Sequence, residues 1–266
     1  MQQVYNAAEA AAIVRLLCER VGTNEAADAS VSSEQEHRLN AAMEQLLQLR
    51  PLQYVLNEAW FYKSAFWVNN QVLIPRPETE ELVEWVLEEE VRRWKTVPRV
   101  LDVGTGSGCI AISLKLEWPK AAVTAIDVST TALEVAAANA KKHNTQVQFA
   151  AYDFTNTTTW QQLDLFEVVV SNPPYIAEDE AHSLAPQVVQ HEPHTALFVR
   201  DSDPLLFYRL LAEFGKTHLV PGGAVYVEIN QRLGNETAEL FREAGYQKVV
   251  LKKDISGNNR MVCARR

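Results

Sequence analysis

The run Ser171-Asn172-Pro173-Pro174-Tyr175 combines the residue types with the most specific chemistry in the chain, and it follows the strand-like run Glu167-Val-Val-Val170. Two adjacent prolines remove two backbone donors and restrict φ, so the turn presents carbonyl oxygens and the Asn172 side chain, with an aromatic face at Tyr175. Such an acceptor-rich turn suits an incoming planar amino group: the Asn172 side-chain oxygen and the Pro173 carbonyl can each take one hydrogen. It would serve a carbonyl oxyanion badly. Holding both hydrogens steers the nitrogen lone pair out of conjugation, places it within ~3–3.5 Å of an activated carbon and stabilises positive charge developing on nitrogen. Methyl transfer from a sulfonium is the matching half, because sulfur loses the charge that nitrogen gains and no metal is obligatory. The bland alternative is a rigid turn.

A second group lies upstream. Val100-Leu-Asp102-Val103-Gly104-Thr105-Gly106-Ser-Gly108 is an apolar strand running into a glycine-rich turn and then a helix, a backbone that a flat ligand can approach closely. The dinucleotide fingerprint needs glycine where this chain has Cys109, which weakens a nicotinamide assignment. Asp127 ends the next apolar run, where a carboxylate can accept from both ribose hydroxyls; it could equally cap the helix that begins near Ser129. After the following strand, Asp153 could accept from an adenine amino group and Phe154 could lie against the ring, or the pair could form an ordinary loop. Three features at successive strand ends converge on one crevice and fit a nucleoside without a pyrophosphate.

The elements that must position these residues are legible in outline. Short apolar runs over 100–103, 123–126, 147–150, 167–170 and 224–229 predict strands, and the segments 108–117, 130–143, 203–215 and 233–244 predict helices. That alternation builds a parallel sheet covered on both faces. The runs 246–251 and 261–264 are joined by too short a loop for a parallel crossover and must be antiparallel neighbours. Residues 1–50 are rich in Ala, Leu, Glu and Gln with apolar residues near helical spacing, which predicts a small helical domain. The aromatic, partly alternating stretch 52–73 suggests a β-hairpin inside a connector over 51–78, ahead of a catalytic domain over 79–266.

Composition narrows the function. The chain has 266 residues, 47% hydrophobic and 22% charged, as for a packed globular protein. Lys and Arg total 25 against 34 Asp and Glu, a formal charge of −9 that disfavours direct nucleic-acid binding. Cys18, Cys109 and Cys263 are far apart, and His182, His191 and His194 lack metal-ligand spacing, so no metal site is expected. No run reaches the ~18 apolar residues of a membrane span, and the first residues lack a signal-peptide pattern, which points to the cytoplasm.

These motifs together resemble a known family: S-adenosylmethionine-dependent methyltransferases of the HemK/PrmC type, which methylate the glutamine side-chain amide of peptide chain release factors. The resemblance runs from about residue 52 to the end and rests on Ile74-Pro75-Arg76-Pro77-Glu78-Thr79-Glu80, the 102–108 loop, Asp127, Asn172-Pro173-Pro174-Tyr175-Ile176, Glu192-Pro193 and Ser256-Gly257-Asn258-Asn259-Arg260. It implies an α/β fold with a seven-stranded, Rossmann-like class I methyltransferase sheet. It also implies S-adenosylmethionine bound by Asp102, Gly104, Thr105, Gly106, Gly108, Asp127, Asp153, Phe154 and Asn172. Catalysis would fall to Asn172, Pro173 and Tyr175, with Pro174, Arg76 and Glu78 also touching the substrate, the Gly-Gly-Gln glutamine of class I release factors. Phe154 departs from family members that carry Trp at the adenine side, leaving less stacking area. Arg76 and Glu78 have a second account as a helix start, with Pro77 and the acids suiting an N-terminal dipole. A nucleic-acid amino methyltransferase, for which a flipped base offers the same amino group, and a non-enzymatic binding protein are the competing functions.

Overall fold

Runs of Val, Ile, Leu and Ala with no polar alternation form strands only where both sheet faces are covered. The computed structural model describes residues 5–21 and 32–266; the first four residues, on which the lack of a signal pattern was read, lie outside them. Helices α1 (Ala7–Val21), α2 (Ser33–Leu47) and α3 (Leu52–Leu56) come first. Ser32 closes a capping box with Gln35 at the start of α2. Ile13, Leu17 and Leu46 form the apolar centre of this part, and Leu52, Val55 and Leu56 of α3 pack against it. The expected hairpin over 52–73 is therefore narrower than its aromatic content suggested. Leu52, Val55 and Leu56 have helical spacing, and only β1 (Glu58–Phe61) and β2 (Ser64–Trp67) pair, antiparallel.

The remainder runs α4 (Pro77–Glu90), β3 (Arg99–Val103), α5 (Cys109–Glu117), β4 (Ala122–Asp127), α6 (Thr130–Lys142), β5 (Gln148–Ala151) and β6 (Phe166–Ser171). Then come β7 (Ile176–Ala177), α7 (Pro186–His191), α8 (His194–Leu197), β8 (Phe198–Val199), α9 (Leu206–His218), β9 (Leu219–Glu228), α10 (Gly234–Glu243), β10 (Lys248–Lys253) and β11 (Asn259–Arg265). Seven strands make one sheet in the order β10-β11-β9-β6-β3-β4-β5. Strand β11 pairs antiparallel with both β10 and β9, the former as the short loop between β10 and β11 requires. Helices α4, α5 and α6 cover one face and α9 and α10 the other. Helix α9 starts three residues later than its periodicity predicted, because Asp203 precedes Pro204 and a residue before proline avoids the helical region. The small β7–β8 pair and helices α7 and α8 had no sequence signal, being too short to show a period.

Register decides where the chemistry can sit. Val103 pairs with Ile126 on one side and Ser171 on the other, and Ser171 pairs with Val227. The carboxyl ends of β3, β4, β6 and β9 are thus level, and the next residues, Gly104, Asp127, Asn172 and Glu228, emerge along one rim. The hairpin is held to this body by buried Asn139 of α6, whose Oδ1 accepts from Trp67 N at 2.7 Å and whose Nδ2 donates to Trp67 O and Ser107 O, each at 2.9 Å.

Candidate active site

The rim opens into two cavities. The first is lined by Gly104, Gly106, Asp127, Asp153 and Phe154, together with Asn172, Pro173 and Pro174. Gly104 and Gly106 have φ of 73° and 53°, and a Cβ on either would meet no atom within 4 Å, so glycine is needed there by conformation and keeps the wall open. Asp127 braces the turn rather than capping α6. Its Oδ2 accepts from Gly106 N and its Oδ1 from Ser129 N, each at 2.9 Å, while Ser129 itself caps α6. Each oxygen keeps a further lone pair toward the cavity. Asp153 spends Oδ1 on Thr155 N and Oγ1, at 2.9 and 2.6 Å, which leaves Oδ2 for another donor. Phe154 is buried, its ring 5.2 Å from those of Trp160 and Phe214, so the aromatic wall is stiffened from behind.

Asp102, Thr105 and Gly108 do not line this cavity. Asp102 is wholly buried beneath the loop, its Oδ2 accepting from Thr105 Oγ1 at 2.6 Å and its Oδ1 lacking a protein donor among the described residues. From these positions the three support the turn from below, with Gly108 opening α5. Burial pushes the Asp102 carboxyl up to about 7, against the Thr105 bond that favours the anion. An acid whose folded pKa is raised from 3.8 to about 7 costs the fold progressively more stability as pH climbs through that window, after which the cost is constant. Asp102→Asn should therefore gain thermal stability relative to wild type between pH 5 and pH 8, which melting curves at the two values would check.

The second cavity is lined by Arg76, Glu78, Tyr175, Ile176, Glu228 and Arg260, and it shares Leu73, Asn172, Pro173 and Ala196 with the first. The Asn172-Pro173 wall thus faces both. Ser171 anchors the wall through Oγ to Val103 O at 2.7 Å, and Asn230 Nδ2 holds the Tyr175 carbonyl at 3.1 Å. Behind it runs a chain of side-chain bonds. Tyr175 OH donates to Glu228 Oε1 at 3.0 Å, Thr79 Oγ1 donates to Glu228 Oε2 at 2.6 Å, and Asn172 Nδ2 donates to Thr79 Oγ1 at 3.0 Å. Glu228 is 1% exposed, and burial raises its pKa while the Thr79 and Tyr175 bonds and the Arg260 charge pull it back. The Pro173 carbonyl has no protein donor among the described residues and remains free to accept. Tyr175 lines the second cavity with its hydroxyl tied to Glu228.

Both accounts of Arg76 and Glu78 describe the same segment. Pro77 opens α4 with Glu78 and Glu80 in its first turn, and Arg76 and Glu78 border the second cavity. Arg76 Nη2 donates to Glu192 Oε1 at 2.6 Å while Glu192 Oε2 accepts from Ile74 N at 3.2 Å, so buried Glu192, just after α7, staples the segment before α4. His182, His191 and His194 bond to the carbonyls of Asp179, Gln48 and Val189 respectively. Thr79, Glu192 and Glu228 received no individual role from the sequence. Glu228 was detectable in principle: it ends an apolar strand, as Asp127 does.

Residues 82–197 match the family model of the methyltransferase small domain. A release factor glutamine methyltransferase of Flavobacterium psychrophilum is 46% identical over 220 residues, covering 82% of this chain and 76% of that protein. Another from Bacteroides thetaiotaomicron is 38% identical over all of this chain and 96% of its own length. Among solved structures, a T. thermophilus 16S rRNA N2 methyltransferase in complex with AdoMet and guanosine superposes with a TM-score of 0.56 at 15% identity, over 79% of this chain and 49% of that one, and shows the shared methyltransferase fold.

Proposed function

Because the chain belongs to the release factor glutamine methyltransferase family, we propose that it transfers a methyl group from S-adenosylmethionine to the side-chain amide nitrogen (N5) of the glutamine in the Gly-Gly-Gln motif of class I peptide chain release factors. One observation carries this most: two cavities, one lined by the glycine turn, Asp127, Asp153 and Phe154 and one bordered by charged and aromatic side chains, meet at a wall made of Asn172 and Pro173. A single nitrogen held at that wall can face both.

The first cavity fits S-adenosylmethionine. Gly104 and Gly106 leave the space that any Cβ would fill, Asp127 offers its remaining lone pairs to ribose hydroxyls, Asp153 Oδ2 suits an adenine amino group, and the Phe154 ring supplies an apolar wall. When bound, the sulfonium supplies a methyl group that a neutral nitrogen can accept. In the second cavity the Asn172 Oδ1 and the Pro173 carbonyl take the two amide hydrogens of glutamine, which frees the nitrogen lone pair and stabilises the positive charge it acquires. Arg76 and Glu78 border the path of the flanking Gly-Gly segment. The helical part over 1–50 grips the factor away from the reacting loop, because one glutamine in a flexible loop cannot distinguish a release factor from other proteins; Val14 and Leu16 of α1 are exposed for such contact.

Tritiated S-adenosylmethionine, the purified protein and total bacterial protein, RNA and DNA should yield label in a class I release factor, with the mass gain of one methyl group on its Gly-Gly-Gln peptide. Label entering nucleic acid, or an unmodified glutamine while cofactor is consumed, would refute the proposal.

A further inference from the structure

An asparagine side chain has one acceptor and one donor end, and a substrate amino group needs the acceptor. The bonds behind the wall settle which end it meets. In the structure the Thr79 hydroxyl donates to Glu228 Oε2, 2.6 Å away. Having spent its one hydrogen, Thr79 Oγ1 can only accept from Asn172, and the Asn172 atom 3.0 Å away must be Nδ2. Oδ1 is then the end left for the cavities. Tyr175 donates to the other oxygen of Glu228, at 3.0 Å.

The chain joins segments distant in sequence: Thr79 at the start of α4, Asn172 after β6 and Glu228 at the end of β9. Thr79 is 2% exposed and Glu228 1%, so water is not available to replace either partner. We propose that Thr79 and Glu228 are positioning residues that hold the Asn172 amide with its oxygen toward the substrate nitrogen, and so make the wall accept hydrogens rather than donate them. This rests on the proposed glutamine methylation. It gives buried Glu228 a role although no step requires it to move a proton: it ends the chain as the acceptor of the Thr79 and Tyr175 hydrogens. Arg260 and Glu78 are the other charged groups acting on Glu228, and Tyr175 is its second bonded partner.

Two measurements test it. In the first, the side-chain amide hydrogens of Asn172, followed by NMR on the folded protein, should exchange slowly in wild type and in Thr79→Ser, which keeps the hydroxyl, and quickly in Thr79→Val. Rapid exchange in wild type would overturn the inference whatever the substrate proves to be. In the second, a double-mutant cycle reads turnover of a Gly-Gly-Gln substrate. Thr79→Val and Glu228→Ala should each lower kcat about tenfold or more in wild type, as for loss of a buried orienting bond, and have little further effect in Asn172→Ala. Thr79→Ser should restore most of the loss. If wild type turns over normally and the losses simply multiply in the Asn172→Ala background, the two residues act through general stability and the inference fails while glutamine methylation stands. Wild type with no turnover of the glutamine substrate would instead remove the proposed function.

Discussion

Asn172→Ala is expected to lower kcat on a release factor substrate by about a hundredfold or more, as removal of one transition-state partner does elsewhere. The side chain is one of two acceptors available to the substrate amino group; without it the lone pair stays delocalised into the amide for most of the time. The effect belongs mainly to kcat rather than to cofactor affinity, because Asn172 is only one part of the first cavity's wall and Asp127, Asp153, Phe154 and the glycine turn are untouched. Calorimetry with the demethylated cofactor should give an affinity near that of wild type, and single-turnover rates should carry the whole loss. Undiminished turnover would remove Asn172 from the chemistry and leave the Pro173 carbonyl as the sole acceptor.

For Asp127→Ala the order reverses: cofactor affinity should fall first, by about 10- to 100-fold, with kcat at saturating cofactor changing less. The carboxylate makes two bonds to backbone amides, Gly106 N and Ser129 N, both at 2.9 Å, and these hold the glycine turn against the start of α6. Removing it frees both amides and also deletes the acceptor for ribose hydroxyls. Asp127→Asn, which keeps one acceptor oxygen but no charge, should lie between wild type and Asp127→Ala. Wild-type affinity in Asp127→Ala would contradict the ribose assignment and reduce Asp127 to a support of the turn.

The two readings of Asp127 show why sequence alone left its function open. A carboxylate at a strand end beside Ser129 is equally good chemistry for a helix start and for a ribose, and the folded chain uses one pair of oxygens for backbone amides with lone pairs to spare. Asp102 resolved otherwise. It stands in the same kind of motif, two residues before Gly104, but the strand turns its side chain into the protein, where Thr105 meets it. Period-two alternation of side chains along a strand decides which residues near the end of a strand face a ligand, and in fully apolar runs that alternation cannot be read from hydrophobicity.

The hairpin shows a similar limit. Aromatic content over 52–73 was informative about a connector, yet the boundary between α3 and β1 depends on Leu52, Val55 and Leu56 finding the apolar faces of α1 and α2. That partner surface is itself a product of folding, so the local pattern supported either element.

Local chemistry was enough to give the alternation of strands and helices, the antiparallel close of the sheet, the glycine turn and the acceptor character of Asn172-Pro173-Pro174-Tyr175, since each depends on neighbours within a few residues. The joining of two cavities at one wall, the staple from Glu192 to Arg76, and the line of bonds from Tyr175 through Glu228 and Thr79 to Asn172 were decided only by tertiary structure. Their partners lie 53 to 149 positions apart, and strand register, which is set by packing of the whole sheet, is what brings such residues to one rim.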